Sequence, residues 1–352
     1  MAAYERRDNP DFSWSNSRKA LFDYCKRAYY YKYYGAHNGW EKHASYDAIK
    51  AYFLKNALSL PLAFEKSVQS AIRQYFDKIS VQSAIRQHFD KIDNNEMGKE
   101  TFSDIIKKNL HGICVKASDI WACEANPKNN PMLIEKLNYK DGFKSPKVKE
   151  SIDKIKKQFN TVTNYFYSSP TVQEIKNGSD VIENFEDFNR GSFMLKGKEG
   201  ELLTIWGKAD TIHKVGNKYI ATLWLTDTST ETIDKIEKEF HAQVIIMYMC
   251  KRYQLKVKDV EVRIYELDTG MCSTYSLKSK EQYTIVLKTI AKSIKEMSEY
   301  MENKDIQTNK ALPMNTFTQK ENHINCRQCQ FCELCVEEAK KKHNTTEPTQ
   351  VA

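Results

Sequence analysis

Four cysteines crowd into one decapeptide, CRQCQFCELC, as Cys326, Cys329, Cys332 and Cys335. Thiolates are soft ligands, and such crowding in a chain of nine cysteines points to a metal site rather than to disulfides. Three ligand sets are open. A zinc ribbon or knuckle separates its two cysteine pairs by a loop, so that four sulfurs can close a tetrahedron, and no such loop exists here. A ferredoxin-like run begins with the same C-x2-C-x2-C, but its last cysteine serves a second cluster and precedes proline. The third set drops Cys332 and uses Cys326, Cys329 and Cys335 as C-x2-C-x5-C, with a fourth thiolate supplied from far away. Cys25 stands in a distinctive N-terminal setting. Cys114, Cys123, Cys250 and Cys272 are scattered and read as small buried hydrophobes or inert thiols.

A second chemistry lies in residues 13–34, SWSNSRKALFDYCKRAYYYKYY. Arg18, Lys19, Lys26, Arg27 and Lys32 sit among six tyrosines, a mixture that suits phosphate contact with aromatic support for unpaired bases. The same residues also suit an amphipathic helix with a solvated basic face, since Ala20, Leu21, Tyr24, Ala28 and Tyr31 recur at helical spacing. The net charge of +8 favours a polyanionic partner, weakly by itself.

The rest of the chain must position these groups. Its 352 residues, 41% hydrophobic and 28% charged, are enough for a large core. No stretch approaches the roughly 18 uninterrupted apolar residues of a membrane span, and Met1 to Pro10 lacks an apolar signal core. The expectation is a cytoplasmic protein with a flexible start over 1–12. SVQSAIRQYFDKI (67–79) is followed at once by SVQSAIRQHFDKI (80–92), differing only at Tyr75 and His88. In one continuous helix a shift of this length turns the chain by about 1300°, some 140° short of whole turns. The two copies therefore cannot share a face: one is expected to pack, the other to extend the helix or form a hairpin. Residues 94–190 read as mainly helical, with apolar spacings of three and four at 100–110, 147–165 and 180–188. Strand composition appears at 192–196, 201–206, 218–225 and 260–267, with helices at 232–253 and 279–302. That order predicts an α/β core with a mixed sheet. Residues 337–352 are polar and aperiodic, and read as a disordered tail.

Taken together, Phe22-Asp23-Tyr24-Cys25-Lys26-Arg27-Ala28-Tyr29-Tyr30 and the set Cys326, Cys329, Phe331 and Cys335 resemble the RecB-like branch of the PD-(D/E)XK nucleases that carry an iron–sulfur cluster. This branch includes AddB-type helicase–nucleases and CRISPR-associated RecB-like exonucleases. The likeness extends to Tyr34-Gly35, Asn38-Gly39-Trp40 and the lead-in from Phe317 to Asn322, and takes in most of the chain outside the second repeat copy and the tail. It implies a PD-(D/E)XK mixed-sheet core (191–303) behind a large helical region (13–190), with a cluster-binding segment at 304–336, all in one domain over 13–336. It further implies a 4Fe–4S cluster held by Cys25, Cys326, Cys329 and Cys335, which staples two ends of the chain about 300 residues apart. Closing so long a loop is entropically costly without such a link.

The resemblance also assigns a hydrolytic centre, in which carboxylates hold Mg²⁺ or Mn²⁺ and a lysine assists. Asp210, at the end of Trp206-Gly207-Lys208-Ala209-Asp210, matches the first strand acid. Gln243 and Tyr248 match the helix signature, the tyrosine one position later than Q-x-x-x-Y. The family's Asp-Trp-Lys-Thr-Gly aligns with Leu223-Trp224-Leu225-Thr226-Asp227, so leucine stands at both the acid and the lysine. The family's early histidine aligns with Gln69, or with Gln82 in the second copy, and Ser229 stands where a lysine would rescue Asp227. The expectation is a nuclease-like protein that binds DNA, or a DNA-processing partner, without cutting. The alternatives are a live Mg²⁺ or Mn²⁺ nuclease using Asp210, Asp227 or Glu231, and a regulatory or decoy subunit with no DNA affinity.

Overall fold

A computed structural model of the chain describes residues 6–88, 101–138, 144–184, 191–197, 200–226, 235–320, 326 and 329–346. A short strand, β1 (Ser13–Ser15), leads into α1 (Asn16–Tyr24), whose first turn is capped by the Ser15 hydroxyl accepting from the Arg18 amide at 3.0 Å. The helix stops at Cys25, which is extended (φ −154°, ψ 110°), and restarts as α2 (Lys26–Tyr30), running on into a π-helical turn over Tyr31–Gly35. The segment 13–34 is thus broken where the sequence suggested one helix. The break has a local cause: the Cys25 sulfur accepts from the Ala28 amide at 3.5 Å and acts as the cap of α2. Beyond the π turn, a Cβ on Gly39 would lie 2.2 Å from the Ala48 carbonyl oxygen, so only glycine lets this loop touch α3 (Tyr46–Asn56).

The 29-residue helix α4 (Leu60–His88) carries the whole first repeat copy and continues into the second. Val68, Ala71, Ile72, Tyr75 and Phe76 of the first copy are buried, as expected for the copy that packs. Helix α5 (Phe102–Lys116) begins with a reciprocal cap between Thr101 and Asp104. It is followed by α6 (Ile120–Ala125), α7 (Ile134–Asn138), α8 (Pro146–Ser168, with proline at its first position) and α9 (Pro170–Lys176). Phe102 stacks on Phe166 with ring centres 4.4 Å apart, joining α5 to α8.

Eight strands form two mixed sheets among the described residues. After β2 (Asp180–Asn184) come β3 (Ser192–Lys196), β4 (Leu202–Trp206), β5 (Thr211–Val215) and β6 (Lys218–Leu225). Helix α10 (Lys235–Tyr253) then leads to β7 (Val260–Glu266), β8 (Met271–Tyr275) and α11 (Lys280–Ser298), and α12 (Cys332–Thr346) comes last. The larger sheet has the order β2-β5-β6-β7-β8, with only β6 and β7 parallel, α10 lying between them in the chain. The smaller sheet is β1-β4-β3, with β1 parallel to β4.

The larger sheet divides the interior. Ala221, Leu223, Val262 and Ile264 face a core shared with α10, α11 and the smaller sheet. Trp224 and Tyr265, stacked at 4.7 Å, face a second core built from α4, α5, α8 and α9. This is the period-two alternation of a sheet covered on both sides. The fold is α/β. No helix among the described residues is long and apolar enough to cross a membrane.

Three expectations need correction. Residues 180–184 form a strand, because Val181 pairs with His213 across a bulged antiparallel ladder that outweighs the local helical spacing. Residues 6–12 are held in place: the Arg7 carbonyl accepts from Asn38, the Pro10 carbonyl accepts from Asn309, and Phe12 is buried. The polar stretch from 337 to 346 is helical, and Glu337 and Glu338 anchor its start through ion pairs with Lys50 and Arg27.

Candidate functional site

The chain folds its two cysteine-bearing ends against each other. Cys25, Cys329 and Cys335 pack around a small core of Ala28, Tyr31, Leu54, Phe331 and Leu334, with the Tyr31 and Phe331 rings 5.6 Å apart. Polar contacts reinforce the seam. The Arg27 side chain is buried, donates to the Phe317 carbonyl at 2.9 Å and pairs with Glu338, while its amide donates to the Thr318 carbonyl at 3.1 Å. Lys50 on α3 bridges Glu333 at 2.8 Å and Glu337 at 2.6 Å on α12.

The thiols sense one another. Burial pushes Cys329 up to about 11, and potential negative charge on Cys25, Cys332 and Cys326 pushes the same way, against the Phe331 amide. Cys335 rises to about 12, through burial first and then Cys329 and Cys25. A bound cation would reverse this balance, since mutually repelling thiolates are what a metal centre neutralises. The sulfurs are gathered without being closed into a ligand set: among the described residues no three His, Cys, Asp or Glu side chains form a group able to hold a metal ion. Cys332 is also within electrostatic reach of Cys329, so proximity alone does not separate it from the other cysteines.

At the other candidate site, Asp210 precedes β5, and its amide donates to the Thr222 carbonyl at 2.9 Å. Its carboxylate accepts from the Trp224 amide at 2.9 Å, satisfying a β6 donor just past the last β5–β6 pair, Thr211 with Thr222. Burial pushes the Asp210 carboxyl up to about 7; Trp224 and Lys208 oppose the rise and Glu65 adds to it. Leu223 is buried among apolar neighbours, and Leu225 packs partly buried against the same core. Both positions aligned with the acid and the lysine are therefore filled with hydrocarbon.

Glu65 is a neighbour that the sequence reading missed. It stands on α4, accepts from Gln69 at 3.3 Å and lies near enough to Asp210 to raise its pKa. Gln69 is the position aligned with the early histidine. The four-residue spacing of Glu65 and Gln69 on one helix face was the available signal. Tyr248 is wholly buried and packs where a Cβ on Gly207 would meet its own Cβ at 3.1 Å. Gln243 lines a cleft of about 370 Å³ with Lys19, Asn16 and Phe240, and donates to Glu239 at 3.3 Å. Asp227, Ser229 and Glu231 lie outside the described residues.

The basic residues near the N-terminus are disposed differently from a solvated face. The Arg18 guanidinium is buried against the rings of Phe12 and Tyr33, 4.6 and 4.1 Å from their centres, and donates to the Ser13 carbonyl. Arg18 and Arg27 therefore do not present free charge to a phosphate. Lys19 pairs with Asp23 one turn on, and Lys26 donates to the Phe22 carbonyl at 2.6 Å. Helix propensity and charge gave the stretch its basic look, and long-range packing consumed both arginines.

No protein-family model matches the chain, and no curated protein matches it.

Proposed function

We propose that the protein is an iron–sulfur member of the RecB-like branch of the PD-(D/E)XK fold, a pseudonuclease that binds DNA without hydrolysing it. One observation carries this reading: Cys25, near the start of the chain, lies beside Cys329 and Cys335, near its end. The four thiols Cys25, Cys326, Cys329 and Cys335 would hold a 4Fe–4S cluster, whose contribution is a cross-link between the chain's two ends. Arg27, Lys50 and Tyr31 seat α12 beside these cysteines. The apolar side chains of Leu223 and Leu225 support loss of hydrolysis, since neither can ligate a hard cation or steady charge on a phosphate.

Anaerobic purification with iron and sulfide analysis, followed by a nuclease assay on the same sample, tests both halves. The expected result is about four irons and four sulfides per chain, as the cluster requires, with no Mn²⁺-dependent cleavage. Iron-free protein that keeps its fold with zinc or with free thiols would sink the cluster.

A second reading, a live nuclease with a rearranged site, is favoured by one observation. Glu65 and Lys208 both act electrostatically on Asp210, which brings two carboxyl groups and an amine to one place. Mn²⁺-dependent cleavage that vanishes in both Asp210→Ala and Glu65→Gln would establish it.

A further inference from the structure

The cleft of about 370 Å³ that Gln243 lines opens between α1 and α10, with α11 contributing Thr289. Its size falls within the range of small-ligand sites, about 300–1,000 Å³. The walls are tied together: the Trp14 ring, just before α1, meets Phe240 of α10 at 6.1 Å and close to a right angle, and its indole donates to Ser293 of α11 at 3.0 Å. Ala20 and Phe240 give the cleft apolar surface, and the half-buried Phe240 offers an aromatic ring. Two carboxamides border the same space, Asn16 from α1 and Gln243 from α10. The Asn16 carboxamide has no hydrogen-bond partner among the described residues. Gln243 donates to Glu239 at 3.3 Å, which orients its amide and leaves the carbonyl oxygen without a donor. Glu237 and Glu239 also line the cleft and have no ion pair among the described residues, whereas the charge of Lys19 is matched by Asp23.

These groups suit a flat, neutral guest better than an anion. Two carboxylates without cations repel a phosphate, while a ring stacks on an aromatic side chain and carboxamides and carboxylates read base edges. Acceptors outnumber donors here, which selects a guest rich in N–H groups. We propose that the cleft takes one unpaired nucleobase that carries an exocyclic amino group, laid on Phe240 with its amino edge toward Glu239, Asn16 and Gln243. Adenine, cytosine and guanine meet that requirement, and thymine does not. Glu237 and Glu239 keep the strand's phosphates outside. The inference rests on the DNA-binding reading above for the source of the base, and it narrows that reading to strands whose bases are free. It also moves base recognition away from Arg18 and Arg27, whose guanidinium groups are already engaged.

The test titrates labelled oligo(dA), oligo(dC) and oligo(dT) strands of about 12 nucleotides, and a duplex of the same length, by fluorescence anisotropy. The full chain is compared with its double variant Asn16→Ala/Gln243→Ala. Thermal-shift series with deoxycytidine and with thymidine run alongside on both proteins. The wild type should bind oligo(dA) and oligo(dC) at least about fivefold more tightly than oligo(dT), the lower end of what one matched base edge contributes. It should also favour them over the duplex. The variant should lose the preference and keep its affinity for oligo(dT). Deoxycytidine should raise the melting temperature of the wild type alone, and thymidine that of neither protein. Should the double variant fail to fold, Asn16→Ala by itself should narrow the preference, since it removes a side chain without a partner. Equal affinity of the wild type for all three strands, with no response to deoxycytidine, overturns the base cleft and leaves the DNA reading intact. A preference that persists in the variants overturns the assignment to this cleft. Absence of DNA binding by the wild type, with deoxycytidine stabilisation lost in the variant, overturns the DNA reading and keeps a site for free nucleosides. Absence of both responses in the wild type overturns both.

Discussion

The cysteine seam and the strand edge at Asp210 are two places where chemistry-bearing residues meet, and they are built oppositely. At the seam, residues from opposite ends of the chain are drawn together by contacts that have no other purpose in the sheet core: Arg27 to Glu338, Lys50 to Glu337, Tyr31 against Phe331. At the strand edge the scaffold is intact, with Asp210 bonded to β6, yet the next positions along that strand are leucines packed inward. The difference is one of construction: polar pairs between distant segments hold the seam together, whereas apolar packing surrounds a single hydrogen-bonded carboxyl at the strand end.

The comparison is most easily broken at the seam. Cys25→Ser and Cys335→Ser should each abolish bound iron and visible absorbance and lower the melting temperature by on the order of 10 °C, whereas Cys332→Ser should leave both near wild type. Equal damage from Cys332→Ser would redraw the ligand set. Next in size, Arg27→Ala removes the buried cation from Glu338, which keeps Tyr31 and Gln319 as donors, and the donor to the Phe317 carbonyl, and should cost about 3 kcal/mol in a denaturant titration. A loss under about 1 kcal/mol would mean that the pair is only a surface contact. Leu223→Asp puts a charge into the apolar core beside β7 and should cost on the order of 3 kcal/mol. If instead it is neutral and gains Mn²⁺ affinity, the strand edge is still an open metal site.

The smallest effect sharpens the role of Asp210, and its sign follows from proton binding. Its carboxyl sits at about 7 in the fold against an ordinary 3.8, through burial and Glu65 against the Trp224 amide and Lys208. Between those values the folded chain keeps a proton that the unfolded chain releases. Asp210 therefore makes stability fall as pH rises through this window, with the full penalty present above pH 7. Asp210→Asn removes the charge and can still accept from Trp224. It should match the wild type below about pH 4 and melt a few degrees higher at pH 8. A variant that melts lower at pH 8 would show that the ionised carboxylate is stabilised by a partner.

Much of the α/β core was legible from residue types. The 218–225 strand is found at those bounds, and the strands near 192, 202 and 260 and the helices near 235 and 280 lie within a few residues of their expected ends. Strands β1 and β8 and the swap of helix for strand at 180–184 were not legible. Each is short and set by its ladder partner: Trp14 by Ile205, Cys272 by Tyr265, Val181 by His213. At the site, cysteine spacing pointed to the seam because ligand geometry leaves a local pattern. Glu65 leaves only its four-residue spacing from Gln69, and its place near Asp210 is set by the long-range packing of α4. Arg18 and Arg27 were misread for the same reason: basic composition says nothing about whether an aromatic ring or a distant carboxylate will claim the charge.

The pairing of Arg27 with Glu338 spans 311 residues. On a ribosome elongating at about 5–20 residues per second, the segment around Cys25 emerges about 15 to 60 s before its partner helix exists. Throughout that interval the Tyr31 ring and the Cys25 thiol have no lid. Nascent chains should therefore be most vulnerable to oxidants and to chaperone capture at their leading end, and this vulnerability should close abruptly when the last helix docks.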